Sequence, residues 1–169
     1  MRRVRVLTTG GTIEKVYDEA TGTLENRGSI IARMLGELRL EAVEVAVRPV
    51  LAKDSLLMTD DDRALVLAAA RDAQGESDGV VILHGTDTLA RTGELIHASL
   101  AAPRVPIVLT GAMRPFEMKR SDALQNLTEA IFAAGVLPPG VYCVAHGQAL
   151  RFPGVTKDQG RLAFVRRGD

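Results

Sequence analysis

Short apolar runs alternate along this chain with longer stretches in which apolar positions recur every third or fourth residue. The runs at residues 4–8, 42–47, 79–83, 107–109 and 141–145 are brief and nearly continuous, with Val80-Val81-Ile82-Leu83 the plainest case. That pattern predicts strands covered on both faces. Helical periodicity fills residues 29–38, 60–74, 88–100 and 122–134. Ser29, Thr59 and Ser121-Asp122 read as helix starts, because a side-chain oxygen there can hold a free N–H of the first turn. Asp60, Asp61 and Asp62 suit a positive helix N-terminus. Gly75, Gly135 and Pro138-Pro139-Gly140 read as stops. Strand–helix alternation predicts right-handed crossovers. The expectation is a single three-layer α/β/α domain over residues 1–169, with a mainly parallel sheet of flavodoxin-like or Rossmann-like type. Two long loops, residues 10–28 and 111–120, are expected to be functional. Residues 151–169 offer only one short strand-like piece, 162–165.

Composition narrows the function classes. The chain has 169 residues, enough for one domain, and 46% of them are apolar. Its 21 basic and 21 acidic residues cancel, which argues against nucleic acid as a partner. Cys143 is the only cysteine, so no internal disulfide forms and a reducing cytoplasm is the expected location. Met1-Arg2-Arg3-Val4 is not followed by a signal-peptide core, and no run reaches the roughly 18 apolar residues of a membrane helix. The three histidines and Cys143 are scattered, so no metal site is expected. No Gly-x-Gly-x-x-Gly or Gly-Lys-Thr segment signals a nucleotide, and no cofactor is expected.

The chemistry concentrates where two strands end. Thr8-Thr9-Gly10-Gly11-Thr12-Ile13 follows the first, and His84-Gly85-Thr86-Asp87-Thr88 follows the third. Sites in open α/β sheets gather beyond the carboxyl ends of strands. Here two hydroxyls, a carboxylate and free backbone N–H groups meet the needs of attack on a carbonyl. Thr12 is the nucleophile candidate, against the plainer reading of a turn threonine. Asp87 orients a base or caps the helix after it. Cys143 and His97 read as structural and Glu14 and Lys15 as loop charges. His146 ends the fifth strand, where a plain structural role outweighs a site role.

Thr9-Gly10-Gly11-Thr12-Ile13 and His84-Gly85-Thr86-Asp87-Thr88 resemble the two signature segments of bacterial-type L-asparaginases. Thr110-Gly111-Ala112-Met113-Arg114-Pro115, Ser121-Asp122-Ala123-Leu124-Gln125-Asn126-Leu127 and Gly154-Val155-Thr156-Lys157 are similar to later segments of that family, in the same order. The resemblance covers residues 1 to about 160 and only the family's N-terminal domain. It implies hydrolysis of L-asparagine to L-aspartate and ammonia through an acyl-enzyme on Thr12. It also implies a relay of Thr86, Asp87 and Lys157, with Lys157 in a loop after the fifth strand, and a mobile lid carrying Tyr17. Gly11, Gly85, Asp54 and Ser55 would contact substrate, Ser55 through the α-carboxylate, and the Ala112 carbonyl would face the leaving ammonia. Leu56 stands where the family usually has a polar residue for the α-amino group. The family's C-terminal domain, which clamps that amino group across a subunit contact, is missing from these residues; a naturally short chain and a homo-oligomer are expected. Four alternatives stay open: Thr86 as first nucleophile, an amidase that also takes glutamine, a non-enzymatic amino-acid sensor, and a component of a tRNA-dependent amidotransferase.

Overall fold

The computed structural model describes residues 1–168. Ten strands and four helices follow in chain order: β1 Arg2–Gly10, β2 Val16–Asp18, β3 Thr23–Glu25, α1 Ile31–Gly36, β4 Val43–Lys53, α2 Asp60–Ala73, β5 Gly79–Leu83, α3 Leu89–Ser99, β6 Pro106–Thr110, α4 Ala123–Val136, β7 Gly140–Ala145, β8 Gln148–Arg151, β9 Val155–Asp158 and β10 Ala163–Arg166. Six strands form the main sheet in the order β4-β1-β5-β6-β7-β8. The first five are parallel and β8 returns antiparallel on β7. Among the described residues, no helix is long and apolar enough to cross a membrane.

Alternation along the buried strands builds the layers. Val81 and Leu83 of β5 pack with α1 and α4 through Ile31, Met34, Leu127 and Ile131. Val80 and Ile82 pack on the other face with α2 and α3 through Val66, Ala70, Leu89 and Ile96. This is the three-layer α/β/α arrangement, and it directs the carboxyl ends of β4, β1, β5 and β6 to one edge.

Several boundaries differ from expectation for identifiable reasons. β4 runs on to Lys53 through Pro49, which an edge strand tolerates because one side of its backbone needs no partner. The loop at residues 10–28 is not structureless: β2 and β3 pair as a hairpin within it. Thr59 caps α2 with a full capping box, its side chain and that of Asp62 each accepting from the other's backbone N–H. Ser29 is not the cap of α1; that position is Ile30, and the Ser29 hydroxyl accepts from Ile31 N–H two residues on. Gly135 lies inside α4, which ends one residue later. The final segment forms the β9–β10 hairpin, so Lys157 sits on a strand rather than in a loop.

Candidate active site

Glycines show how closely the backbones meet at the sheet edge. A Cβ on Gly11 would lie 2.4 Å from Gly85 N, one on Gly85 would lie 2.5 Å from Ser55 Oγ, and one on Gly111 would lie 2.2 Å from His84 O. The two signature turns, the segment after β4 and the segment after β6 therefore touch. Gly11 adopts φ 77°, ψ 179°, a conformation essentially reserved for glycine. It launches a single 3-10 turn over Thr12–Glu14 that leaves Thr12 half-buried.

Lys157 reaches this edge from β9. Its ammonium donates to Thr86 Oγ1 at 2.8 Å and to Asp87 Oδ1 at 2.7 Å. The lysine side chain is only 10% exposed whereas that of Asp87 is 40% exposed, so the contact is sheltered on its lysine side and open to solvent on its carboxylate side. The Asp87 carboxylate is taken by this contact, and Thr88 stands at the cap position of α3 with no side-chain capping bond; the capping reading of Asp87 is corrected.

The remaining expected residues fall into distinct places. Ser55 is buried, its Oγ accepting from Thr88 N–H at 3.3 Å. Asp54 pairs with Lys15 at 2.7 Å and accepts from Leu56 N–H, and this pairing holds its carboxyl below the usual range. Leu56 is 68% exposed. Ala112 is buried in the α4-side core. Tyr17 is on β2, 57% exposed, with its N–H on Glu117 and its hydroxyl directed toward Gly22 at the hairpin turn. Cys143 is buried and its thiol is pushed up by burial.

Several supports of this edge were not legible as such. Glu14 is buried, not a loop charge: it accepts from Gly10 N–H at 3.2 Å and from the Ser29 hydroxyl. Burial raises its pKa, against the lowering effect of those bonds. Lys15 is likewise half-buried on Asp54. Asp122 accepts from the N–H groups of Met113 and Arg114, each at 3.0 Å, and from His146 Nε2 at 2.7 Å. Asn126 donates to Gly111 O at 2.8 Å and accepts from His146 N–H at 3.0 Å. Together Asp122, Asn126 and His146 fasten the loop that carries Ala112. His84, wholly buried, is held to a pKa of about 4 by burial. Its Nδ1 meets Gly85 O and its Nε2 meets the Thr92 hydroxyl. The signal for Asp122 and Asn126 was their four-residue spacing at the start of α4, which puts both on one face.

The family model described as "Asparaginase, N-terminal" matches residues 3–163. The chain belongs to the asparaginase family. An L-asparaginase of Thermococcus kodakarensis is 36% identical over 140 residues, which are 83% of this chain and 43% of that protein. One of the subunits of a glutamyl-tRNA(Gln) amidotransferase, from Thermoplasma acidophilum, is 36% identical over 134 residues, 79% of this chain and 33% of that protein. Among solved structures, the thermostable L-asparaginase from Thermococcus kodakarensis superposes with a TM-score of 0.85 at 32% identity, covering 97% of this chain and 51% of that one. L-asparaginase I from Vibrio cholerae gives 0.82 at 26% identity, covering 98% and 51%. The chain thus spans about half the length of these asparaginase structures. A groove of about 490 Å³, lined by Met1, Val43, Phe132 and Val136 among others, lies at the amino ends of the strands, away from the asparaginase signature turns.

Proposed function

We propose that this asparaginase-family chain hydrolyses the side-chain amide of L-asparagine to L-aspartate and ammonia. The observation that carries the reading is Lys157 Nζ bonded at once to Thr86 Oγ1 and Asp87 Oδ1. A sheltered lysine between a hydroxyl and a carboxylate is equipped to pass a proton once its amine is uncharged.

Thr12 attacks the amide carbon, and backbone N–H groups near Gly11 and Thr86 steady the oxyanion, a contribution of about 3 kcal/mol per donor. Ammonia leaves past the Ala112 carbonyl, and water resolves the aspartyl ester on Thr12. Tyr17 closes over Thr12 from the β2–β3 hairpin when substrate binds. Ser55, Asp54, Leu56, Gly11 and Gly85 line the substrate side. The chain acts in the cytoplasm as a homo-oligomer, without metal or cofactor.

A second reading makes Thr86 the first nucleophile, and the direct Lys157–Thr86 hydrogen bond favours it. Rapid quenching during turnover, followed by peptide mass spectrometry, separates the two. An aspartyl mass on the Thr12 peptide supports the first reading. The same mass on the Thr86 peptide replaces it with the second, and glutamine turned over as fast as asparagine would broaden the substrate class.

A further inference from the structure

Arg63 lies on the first turn of α2 and is only 2% exposed. Its burial is unusual because no carboxylate pairs with it among the described residues. The acidic groups of its own turn are engaged elsewhere: Asp62 holds Lys53 at 2.8 Å and Asp60 holds Arg91 at 2.6 Å. Asp60 and Asp62 still favour its charge at longer range and Arg91 opposes it, while burial is the larger effect and lowers its pKa. A guanidinium stays charged in proteins regardless. The Arg63 Nε atom is buried without a hydrogen-bond partner.

The bonds that Arg63 does make lead to the second signature segment and to Ser55 after β4. One terminal nitrogen donates to Thr88 Oγ1 at 3.2 Å and to Thr92 Oγ1 at 3.1 Å, and the other donates to Met58 O at 3.3 Å. Thr88, its lone pair occupied by the arginine, gives its own proton to Ser55 O at 3.0 Å, and Thr88 N–H donates to Ser55 Oγ. Thr92, likewise oriented, can donate to His84 Nε2 at 2.8 Å. Neutral His84 then carries its proton on Nδ1 and gives it to Gly85 O at 2.9 Å. The tautomer follows from the Gly85 carbonyl, which can only accept and so requires the proton on Nδ1. Ser55 and Gly85 are thereby aligned by one buried cation.

We infer that Arg63 is a positioning residue that makes the Ser55 end of the site select a carboxylate-bearing substrate. It acts through an uncompensated positive charge and through the Thr88–Ser55 contact, without touching the substrate. The inference rests on the proposed role of Ser55 in binding the α-carboxylate.

The test compares L-asparagine with its α-amide, which has the same scissile group and no carboxylate. Hydrolysis of both is measured for the parent, Arg63→Met, Arg63→Lys and Thr88→Val, with circular dichroism confirming the fold of each. Arg63→Met should raise KM for asparagine roughly tenfold, as expected for two unit charges several ångströms apart in a partly shielded interior. Its kcat, and KM for the α-amide, should stay within about twofold of the parent, and Arg63→Lys should restore most of the preference. Thr88→Val should shift the preference the same way and serves if Arg63→Met does not fold. Equal losses on both substrates, or no change in the ratio, would overturn the role of Arg63 while leaving asparagine hydrolysis intact. A folded parent that hydrolyses neither substrate would overturn the amidase reading itself, and this inference with it.

Discussion

Replacing Gly11 by alanine tests whether the signature turns are pressed together as tightly as the structure shows. Two costs add at this position. Alanine at φ 77°, ψ 179° is strained by about 1–3 kcal/mol. Its Cβ would stand 2.4 Å from Gly85 N and 2.5 Å from Gly85 Cα. Backbone cannot rotate away as a side chain can, so relief requires the turns to separate, at about 1–3 kcal/mol for an overpacked site. The total of about 4 kcal/mol corresponds to a melting temperature lower by about 8–16 °C in a chain of this size. Two controls divide that sum. Gly28→Ala meets nothing within 4 Å at φ 101° and should show the strain alone, about 1–2 kcal/mol. Gly85→Ala has ordinary φ but presses on Ser55 Oγ and Cβ at 2.5 and 2.6 Å, and should show crowding alone. Thermal unfolding by circular dichroism supplies all three values. An alanine at Gly11 that melts with the parent, or no lower than Gly28→Ala, would show that the turns do not abut. Activity offers a second reading, since a 1 Å displacement of reacting groups costs about a hundredfold.

Three further outcomes follow from the titrating groups. Lys157→Met should lower turnover about a hundredfold or more by removing the proton relay; steady-state ammonia release at an unchanged rate would refute its role. Glu14 has a raised pKa because of burial, so its contribution to stability is present below the unfolded carboxyl range and lost as pH rises through the folded value. Glu14→Gln should therefore gain in melting temperature over the parent at pH 8, with the gain shrinking at pH 5; a constant difference at both would contradict this. Burial alone would raise the Asp122 carboxyl, yet the bonds from Met113, His146 and Arg114 outweigh it and leave it low. Its stabilisation is then present above the unfolded value and lost as pH falls below about 4, and Asp122→Asn should flatten that acid limb in urea titrations read by far-ultraviolet circular dichroism.

Much of the fold was legible because β1, β5, β6 and β7 lie inside the sheet, where two-sided burial leaves a nearly continuous apolar run, broken in β1 by Arg5. Less of it was legible at the margins. β2, β3 and β8 are short and contain no buried residue, so burial imposes no pattern on them, and Pro49 conceals the length of β4. At the site, glycine and threonine at strand ends pointed to Thr12 and Thr86, and the structure joins Thr86, Asp87 and Lys157. It leaves Tyr17 exposed on a hairpin. The contacts of Arg63, Glu14 and Asn126 were hidden for one reason: each is a polar residue with at least one backbone or hydroxyl partner 15 or more residues away. Glu14 looks like any charge beside a loop until Ser29 and Gly10 N–H close around it.

Whether this chain turns asparagine over, beyond binding it, is measured most directly by product release. Ammonia and aspartate formed from L-asparagine by the purified chain are followed beside calorimetric binding of L-aspartate. The predicted result is ammonia and aspartate in equal amounts from the parent and a collapse of that rate in Lys157→Met. Saturable aspartate binding with no ammonia released above the Lys157→Met background would contradict it and mark the chain as an amino-acid sensor.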